Sequence, residues 1–138
     1  MARIAVHLHQ LSLGGAERIT VMWCQWLVAM GHHVQLFLGQ SDESEFFTPP
    51  ASVQVIRRPA GILSVIWLRQ SLLQNPPDLC IGMTTRPAVN LLLASVGCRW
   101  PVVVAERNYP PSHPQPLIWS LLRRLSYPAA ALHVVQTQ

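Results

Sequence analysis

The stretch that most constrains this chain is Gln10-Leu11-Ser12-Leu13-Gly14-Gly15-Ala16-Glu17-Arg18. An apolar run from Ile4 to Leu8 precedes it, and a helical pattern begins near Ala16. Strand, glycine loop and helix N-terminus in that order make a phosphate-facing element, because unpaired N–H groups and the helix dipole point at whatever lies above the loop. Glycine lets the backbone turn there and lets a ligand come close. Further strands and helices are needed to hold such a loop, and the remainder of the chain supplies them in alternation.

The first strand is predicted over 3–9 as a nearly continuous apolar run, the pattern of a strand buried on both faces of a parallel sheet. His7 and His9 share a face of it. No third ligand of metal-site spacing follows, so His7 is read as a packed or hydrogen-bonded core histidine. His9 falls at the strand's C-terminal end beside the glycine loop. A helix follows over 16–30, with Ala16, Ile19, Trp23, Leu27 and Met30 at helical spacing and Gly31 as its stop. Strands are predicted over 32–38, 52–56, 78–83, 101–105 and 131–135. Helices are predicted over 62–73, ended by Asn75-Pro76-Pro77, over 87–96, opened by Pro87 and closed by Gly97, and over 117–127. Segments 39–50 and 109–116, rich in polar residues or proline, read as loops.

Strands alternating with helices predict an α/β fold, a Rossmann-like doubly wound parallel sheet of about six strands. Right-handed crossovers and the order 3-2-1-4-5-6 place the first strand beside the fourth, with a ligand crevice outside their C-terminal ends. Polar groups gather where that edge falls: His9, Gln10, Gly14 and Gly15; then Thr84, Thr85 and Arg86; then Glu106, Arg107 and Asn108; then Gln136 and Thr137. Asp78, Arg3 and His32 lie at the opposite edge.

Composition bounds the function. A chain of 138 residues, 50% apolar, is one domain that buries roughly two-thirds of its unfolded surface without staples. The net charge is +4 and the ten basic residues are all arginine. That excess suits phosphate ligands or an anionic membrane surface, and equally a GC-rich genome. Cys24, Cys80 and Cys98 are far apart, the usage of buried thiols in a reducing compartment. No signal peptide and no 18-residue apolar window is present, so the expectation is a cytoplasmic chain with at most peripheral membrane contact.

Several chemistries are excluded by motif. G-x-G-x-x-G is absent, and no acidic residue closes the second strand, with Asp42 lying beyond it in the loop; this argues against NAD. The phosphate-loop Gly-Lys-Ser/Thr and the nucleophile elbow G-x-S-x-G are also missing. Glu106 and Glu17 are the crevice carboxylates, with no pair at general acid/base spacing. The chain carries binding chemistry without a complete catalytic set.

Four runs together resemble one family. His9-Gln10-Leu11-Ser12-Leu13-Gly14-Gly15-Ala16-Glu17-Arg18, Gly31-His32-His33-Val34, Ala105-Glu106-Arg107-Asn108 and Val134-Val135-Gln136-Thr137 are similar to the N-terminal half of glycosyltransferase family 4. The flavour is that of bacterial enzymes building polysaccharides or lipid-linked oligosaccharides. The resemblance covers essentially the whole chain. It implies a GT-B architecture of two Rossmann-like domains facing across a cleft. The first holds the acceptor, and the second holds the nucleotide sugar and an E-x-x-x-x-x-x-x-E motif. It implies a retaining transfer with no metal and no cofactor, on a saccharide or polyprenyl-linked acceptor, and no nucleic-acid partner. Gly14 and Gly15 would approach the donor's diphosphate or sugar from across the cleft. Glu106, Arg107 and Asn108 would lie near the transferred sugar and the acceptor hydroxyl; family members often carry His where this chain has Glu106. The candidate donor- and acceptor-binding residues are His9, Gly14, Gly15, Arg18, Thr84, Arg86, Glu106, Arg107 and Asn108.

The sequence ends at Gln138, and the donor domain is not within it. The expectation is a piece of a longer transferase, inactive alone. The alternatives are a non-catalytic binding or recruiting subunit of a split enzyme and, more remotely, a sugar-nucleotide epimerase relative. Leu117, Ile118, Leu121, Leu122 and Leu125, with Trp119, Arg123, Arg124 and Tyr127 beside them, read first as a helix packed on the sheet. The same mix suits an anionic lipid surface.

Overall fold

A computed structural model describes residues 1–11, 15–39, 47–106, 121 and 124–135. In chain order the elements are β1 (Arg3–Leu8), α1 (Gly15–Ala29), β2 (His33–Leu38), β3 (Gln54–Arg57), α2 (Ser64–Gln74), β4 (Leu79–Met83), α3 (Thr85–Ala94), β5 (Val102–Glu106) and β6 (Leu132–Val135). Residues 124–126 are helical and run into a 3-10 turn at Tyr127–Ala129. The strands form one six-stranded sheet in the order β3-β2-β1-β4-β5-β6. Every pairing is parallel. This is the predicted Rossmann-like order.

Burial explains why the central strands read as unbroken apolar runs. A parallel sheet is covered on both faces, so both side-chain sets must be apolar. On the front face Ile4, Val6 and Leu8 align with Val34, Leu36 and Leu38, beneath Val21, Cys24 and Leu27 of α1. On the back, Ala5, Phe37, Cys80, Val102 and Val104 lie beneath Trp67, Leu68 and Leu72 of α2 and Ala88, Leu91 and Leu92 of α3. Leu11 is fully buried in the front core and anchors the approach to the glycine loop.

Helix ends follow local chemistry. Gly31 has φ 92°. Its N–H donates to Val28 O and that of His32 to Leu27 O, the paired bonds of a Schellman cap. The face of α1 follows the periodicity-based expectation in part. Leu27 is buried and Ile19 and Trp23 pack against the same core, but the centre of the sheet side is Thr20, Val21 and Cys24, and Met30 is 54% and Trp26 62% exposed. Thr20 can be buried because its hydroxyl donates to Ala16 O at 2.7 Å. Helix α3 begins at Thr85, two residues before Pro87, which occupies the first turn where its missing N–H is harmless.

The α3 start reflects a close approach. A Cβ added to Gly82 would sit 2.5 Å from Ala88 Cα. The helix therefore lies directly on the strand, and the chain passes from β4 into α3 through Thr84 alone. Gly82→Ala should lower stability by about 1–3 kcal/mol through overpacking. Because the nearest atom is backbone, adding Ala88→Gly should not rescue it. Urea unfolding of the two variants checks both statements.

His7 is 1% exposed in the middle of β1. Its Nδ1–H donates to Phe37 O at 2.8 Å, since a carbonyl can only accept. Its ring meets Trp67 edge-on at 6.1 Å. Desolvation lowers its pKa from 6.5 to about 4, with the Phe37 bond opposing and nearby His9 adding slightly. Between those values the unfolded chain binds a proton that the folded chain refuses. Stability from this group is therefore complete above pH 6.5 and lost as pH falls toward 4, in total about 3 kcal/mol. In His7→Phe, the stability difference between pH 7.5 and pH 4 should shrink by roughly that amount. An unchanged difference assigns the acid sensitivity elsewhere.

Candidate functional site

The topology sets the site. Strand β1 leads outward to β2 on one side and pairs with β4 on the other, so connections diverge above β1 and β4. The crevice outside their C-terminal ends is where ligands bind in such sheets.

His9 is exposed just beyond β1. Its ring rests on Gly39, the residue just after β2: a Cβ there would lie 3.3 Å from His9 Nδ1 and 3.6 Å from His7 Cε1. Gly39 is held from both sides, its N–H donating to Leu8 O and its carbonyl accepting from Arg58 Nε at 2.7 Å. Arg58 also donates to Ile62 O at 2.6 Å. The β2 terminus is thus a fixed seat for His9. Sequence reasoning treated Arg57, Arg58 and Gly39 as punctuation. The two adjacent arginines after an alternating strand were the available signal, and register brings Arg57 beside Leu38 at this same edge.

Gly15 opens α1 and Arg18 lies exposed in its first turn. Across the crevice, Thr84 joins β4 to α3. It has φ 67° and ψ 177°, a region that is essentially glycine's and costs a β-branched residue about 1–3 kcal/mol. Its N–H donates to Ala105 O at 2.9 Å, and its carbonyl accepts from Ala88 N at 3.1 Å. Thr85 is buried and Arg86 exposed. Glu106 ends β5 opposite Val135 of β6. The structure therefore brings His9, Gly15, Arg18, Thr84, Arg86 and the Glu106 backbone to one sheet edge. Gly14, Arg107, Asn108, Gln136 and Thr137 lie outside the described residues.

The opposite edge is chemically different. Asp78 Oδ2 accepts from Arg3 N at 2.7 Å, and Ala2 N donates to His32 Nδ1 at 3.1 Å. An open cavity of about 490 Å³ lies there, lined by Arg69, Asp78, Cys98, Trp100 and their neighbours. Several of its polar groups are engaged. Arg69 caps the end of α3 by donating to Ala94 O and Val96 O, and Trp100 Nε1 donates to Ser95 Oγ.

Thiol chemistry has no place at the crevice among the described residues. Burial pushes Cys24 up to about 12. It pushes Cys80 up as well, with Cys98 adding to the shift. Cys98 is half-buried rather than buried as expected, and lies at the opposite edge. Among the described residues, no group of three or more His, Cys, Asp or Glu is arranged to hold a metal. No helix there is long and apolar enough to cross a membrane.

Residues 14–138 match the model of the glycosyl transferase 4-like domain. Over 140 aligned residues the chain is 25% identical to GalNAc-alpha-(1->4)-GalNAc-alpha-(1->3)-diNAcBac-PP-undecaprenol alpha-1,4-N-acetyl-D-galactosaminyltransferase of Campylobacter jejuni, covering 93% of this chain and 38% of that enzyme. Among solved structures, HepE of Anabaena in complex with UDP and glucose is similar with a TM-score of 0.65 at 19% identity, over 96% of this chain and 37% of HepE. A putative UDP-N-acetylglucosamine 2-epimerase from Listeria monocytogenes is similar with a TM-score of 0.63 at 11% identity, over 96% of this chain and 38% of that one. At these identities the structural likeness speaks for the fold. The chain spans well under half the length of each relative.

Proposed function

Since the chain belongs to the glycosyl transferase 4-like domain family, we propose that it is the acceptor-side domain of a retaining glycosyltransferase, one that moves a sugar from a nucleotide-sugar donor to a lipid-linked saccharide. The observation that carries this reading is the set of basic and hydroxyl-bearing residues facing outward at the switch-point edge. The Campylobacter relative's name describes transfer onto an undecaprenol-diphosphate oligosaccharide, and HepE was solved with UDP and glucose. Each supports one side of the reaction. Sequence outside these 138 residues would hold the nucleotide, in keeping with the greater length of the relatives.

The roles follow from the chemistry. Transfer breaks the bond from the sugar's anomeric carbon to the diphosphate and forms one to an acceptor oxygen. Negative charge grows on the departing diphosphate, and cations or oriented N–H groups near it stabilise that charge. The N-terminus of α1 at Gly15, with Arg18 beside it, faces the crevice from one side, and Arg86 stands on the other. His9 and Thr84 carry hydrogen-bonding groups suited to sugar hydroxyls, and Glu106 ends β5 nearby. The transfer is proposed to need no metal.

Membrane contact is a separate part of the proposal. Leu121 is 50% and Leu125 71% exposed, and Arg124 between them is exposed as well. Two leucines flanking an arginine suit the anionic face of a bilayer, where each basic residue contributes about 1 kcal/mol. Changing Arg123 and Arg124 to Glu should weaken binding to phosphatidylglycerol vesicles at least roughly tenfold. Equal binding of variant and parent leaves this surface as ordinary domain exterior.

The decisive assay is sugar transfer to a prenyl-diphosphate saccharide by the full-length protein. The product should retain the donor's anomeric configuration, and EDTA should not slow its formation. Residues 1–138 alone should be inactive; recovery on adding a separately expressed donor domain favours a two-chain enzyme. Arg18→Ala and Arg86→Ala should each raise KM about tenfold, the size of a lost charge-assisted hydrogen bond. Transfer by residues 1–138 alone contradicts the division of labour.

A further inference from the structure

Thr84 is the only non-glycine residue with positive φ among the described residues. Glycine would suit that backbone best, and a β-branched side chain suits it worst. The fold makes no visible use of the side chain. Thr84 stands at the N-cap of α3, where a threonine ordinarily accepts a hydrogen bond from the first turn, yet its hydroxyl makes no such bond. It has no other side-chain partner among the described residues.

The joint cannot relax to a commoner conformation in place. Gly82 holds α3 against β4. The Thr84 N–H is tied to β5 through Ala105 O, and its carbonyl is tied to Ala88 N. Its position is fixed from three sides, the residue is half-buried, and no described residue claims the hydroxyl. Strain of this kind, retained where glycine was available, marks residues kept for a task outside the local fold.

We propose that the Thr84 side chain is a specificity contact of the crevice, its hydroxyl exchanging a hydrogen bond with a hydroxyl of the acceptor saccharide. This rests on reading the crevice as an acceptor site. A neutral hydroxyl both donates and accepts, as does a sugar hydroxyl. Phosphate oxygens only accept and are better matched by Arg18 and Arg86. A β-branched side chain on a clamped backbone also has few rotamers to lose on binding.

The test uses this chain with Thr84→Gly, Thr84→Val and Thr84→Ser, each followed by thermal melting and by NMR titration. The probes are a prenyl-diphosphate-linked N-acetylgalactosamine disaccharide and inorganic pyrophosphate. Thr84→Gly should melt about 3 °C or more above the parent, as strain is released. It should bind the saccharide probe about tenfold more weakly and pyrophosphate unchanged. Thr84→Val keeps the branched shape without the hydroxyl and should show the same selective loss without the gain in melting temperature. Thr84→Ser should retain most of the binding. Two results overturn the inference alone: saccharide binding by Thr84→Gly and Thr84→Val equal to the parent's, or a Thr84→Gly melt below the parent's. Failure of the parent to bind the saccharide probe removes the acceptor-site reading first, and the inference with it.

Discussion

The contact between Gly82 and Ala88 governs more of this molecule than its size suggests. With no side chain on the strand at that point, α3 lies on β4 at backbone distance. The link between them shrinks to one residue. Its N–H reaches across to β5, so the ends of β4 and β5 and the start of α3 form one unit. The other lip of the crevice, from β1 to α1, is joined by a longer segment and anchored instead by buried Leu11. On that side the carbonyl of Leu11 also accepts from Phe47 N, and α1 is held on the sheet by Val21, Cys24 and Leu27.

Both edges of a parallel sheet are polar, because loops are polar. What separates a site from a seam is where the hydrogen bonds of those polar groups end. At the N-terminal edge they end on this chain's own backbone: Asp78 on Arg3, His32 on Ala2, Arg69 on the last carbonyls around α3. Those contacts align β1 with its neighbours and finish a helix. At the C-terminal edge Arg58 does similar work at Gly39, but the Thr84 hydroxyl makes no cap bond and His9 stands exposed on its glycine seat. An open cavity lies at the seam, where Arg69, Asp78 and Trp100 are already engaged, so concavity alone does not single out the crevice.

The fold was legible because alternation of short apolar runs with helical patterns has few solutions, and right-handed crossovers leave few strand orders. The face of α1 was only partly legible because periodicity weighs residue size and polarity. It placed Ile19, Trp23 and Leu27 against the core but missed Thr20 and Cys24, which are small enough to be covered, and put Met30 inside, where it is exposed. Placing polar residues at strand ends put His9, Thr84 and Arg86 at the C-terminal edge, where the structure has them. It could not find Gly39 or Gly82, whose importance lies in what stands opposite them: an imidazole in one case, a helix backbone in the other. Within a sequence Gly82 is simply the gap in Cys80-Ile81-Gly82-Met83. The strain at Thr84 was equally invisible, since threonine before a helix reads as an ordinary cap.

The crevice also keeps its charge in a particular way. Beneath His9 lies His7, which burial holds neutral through the physiological range. A charged imidazole there would place a cation under the crevice floor and make its field depend on pH. With His7 neutral and no lysine in the chain, the aliphatic cations at this edge are arginines, which do not titrate near neutrality. Their field is therefore set by position, through α1 for Arg18 and through the clamped start of α3 for Arg86. The close packing at Gly82 that strains Thr84 is also what fixes the backbone from which Arg86 projects. Charge and hydroxyl are thus carried by one short segment whose geometry is dictated from below by the strand.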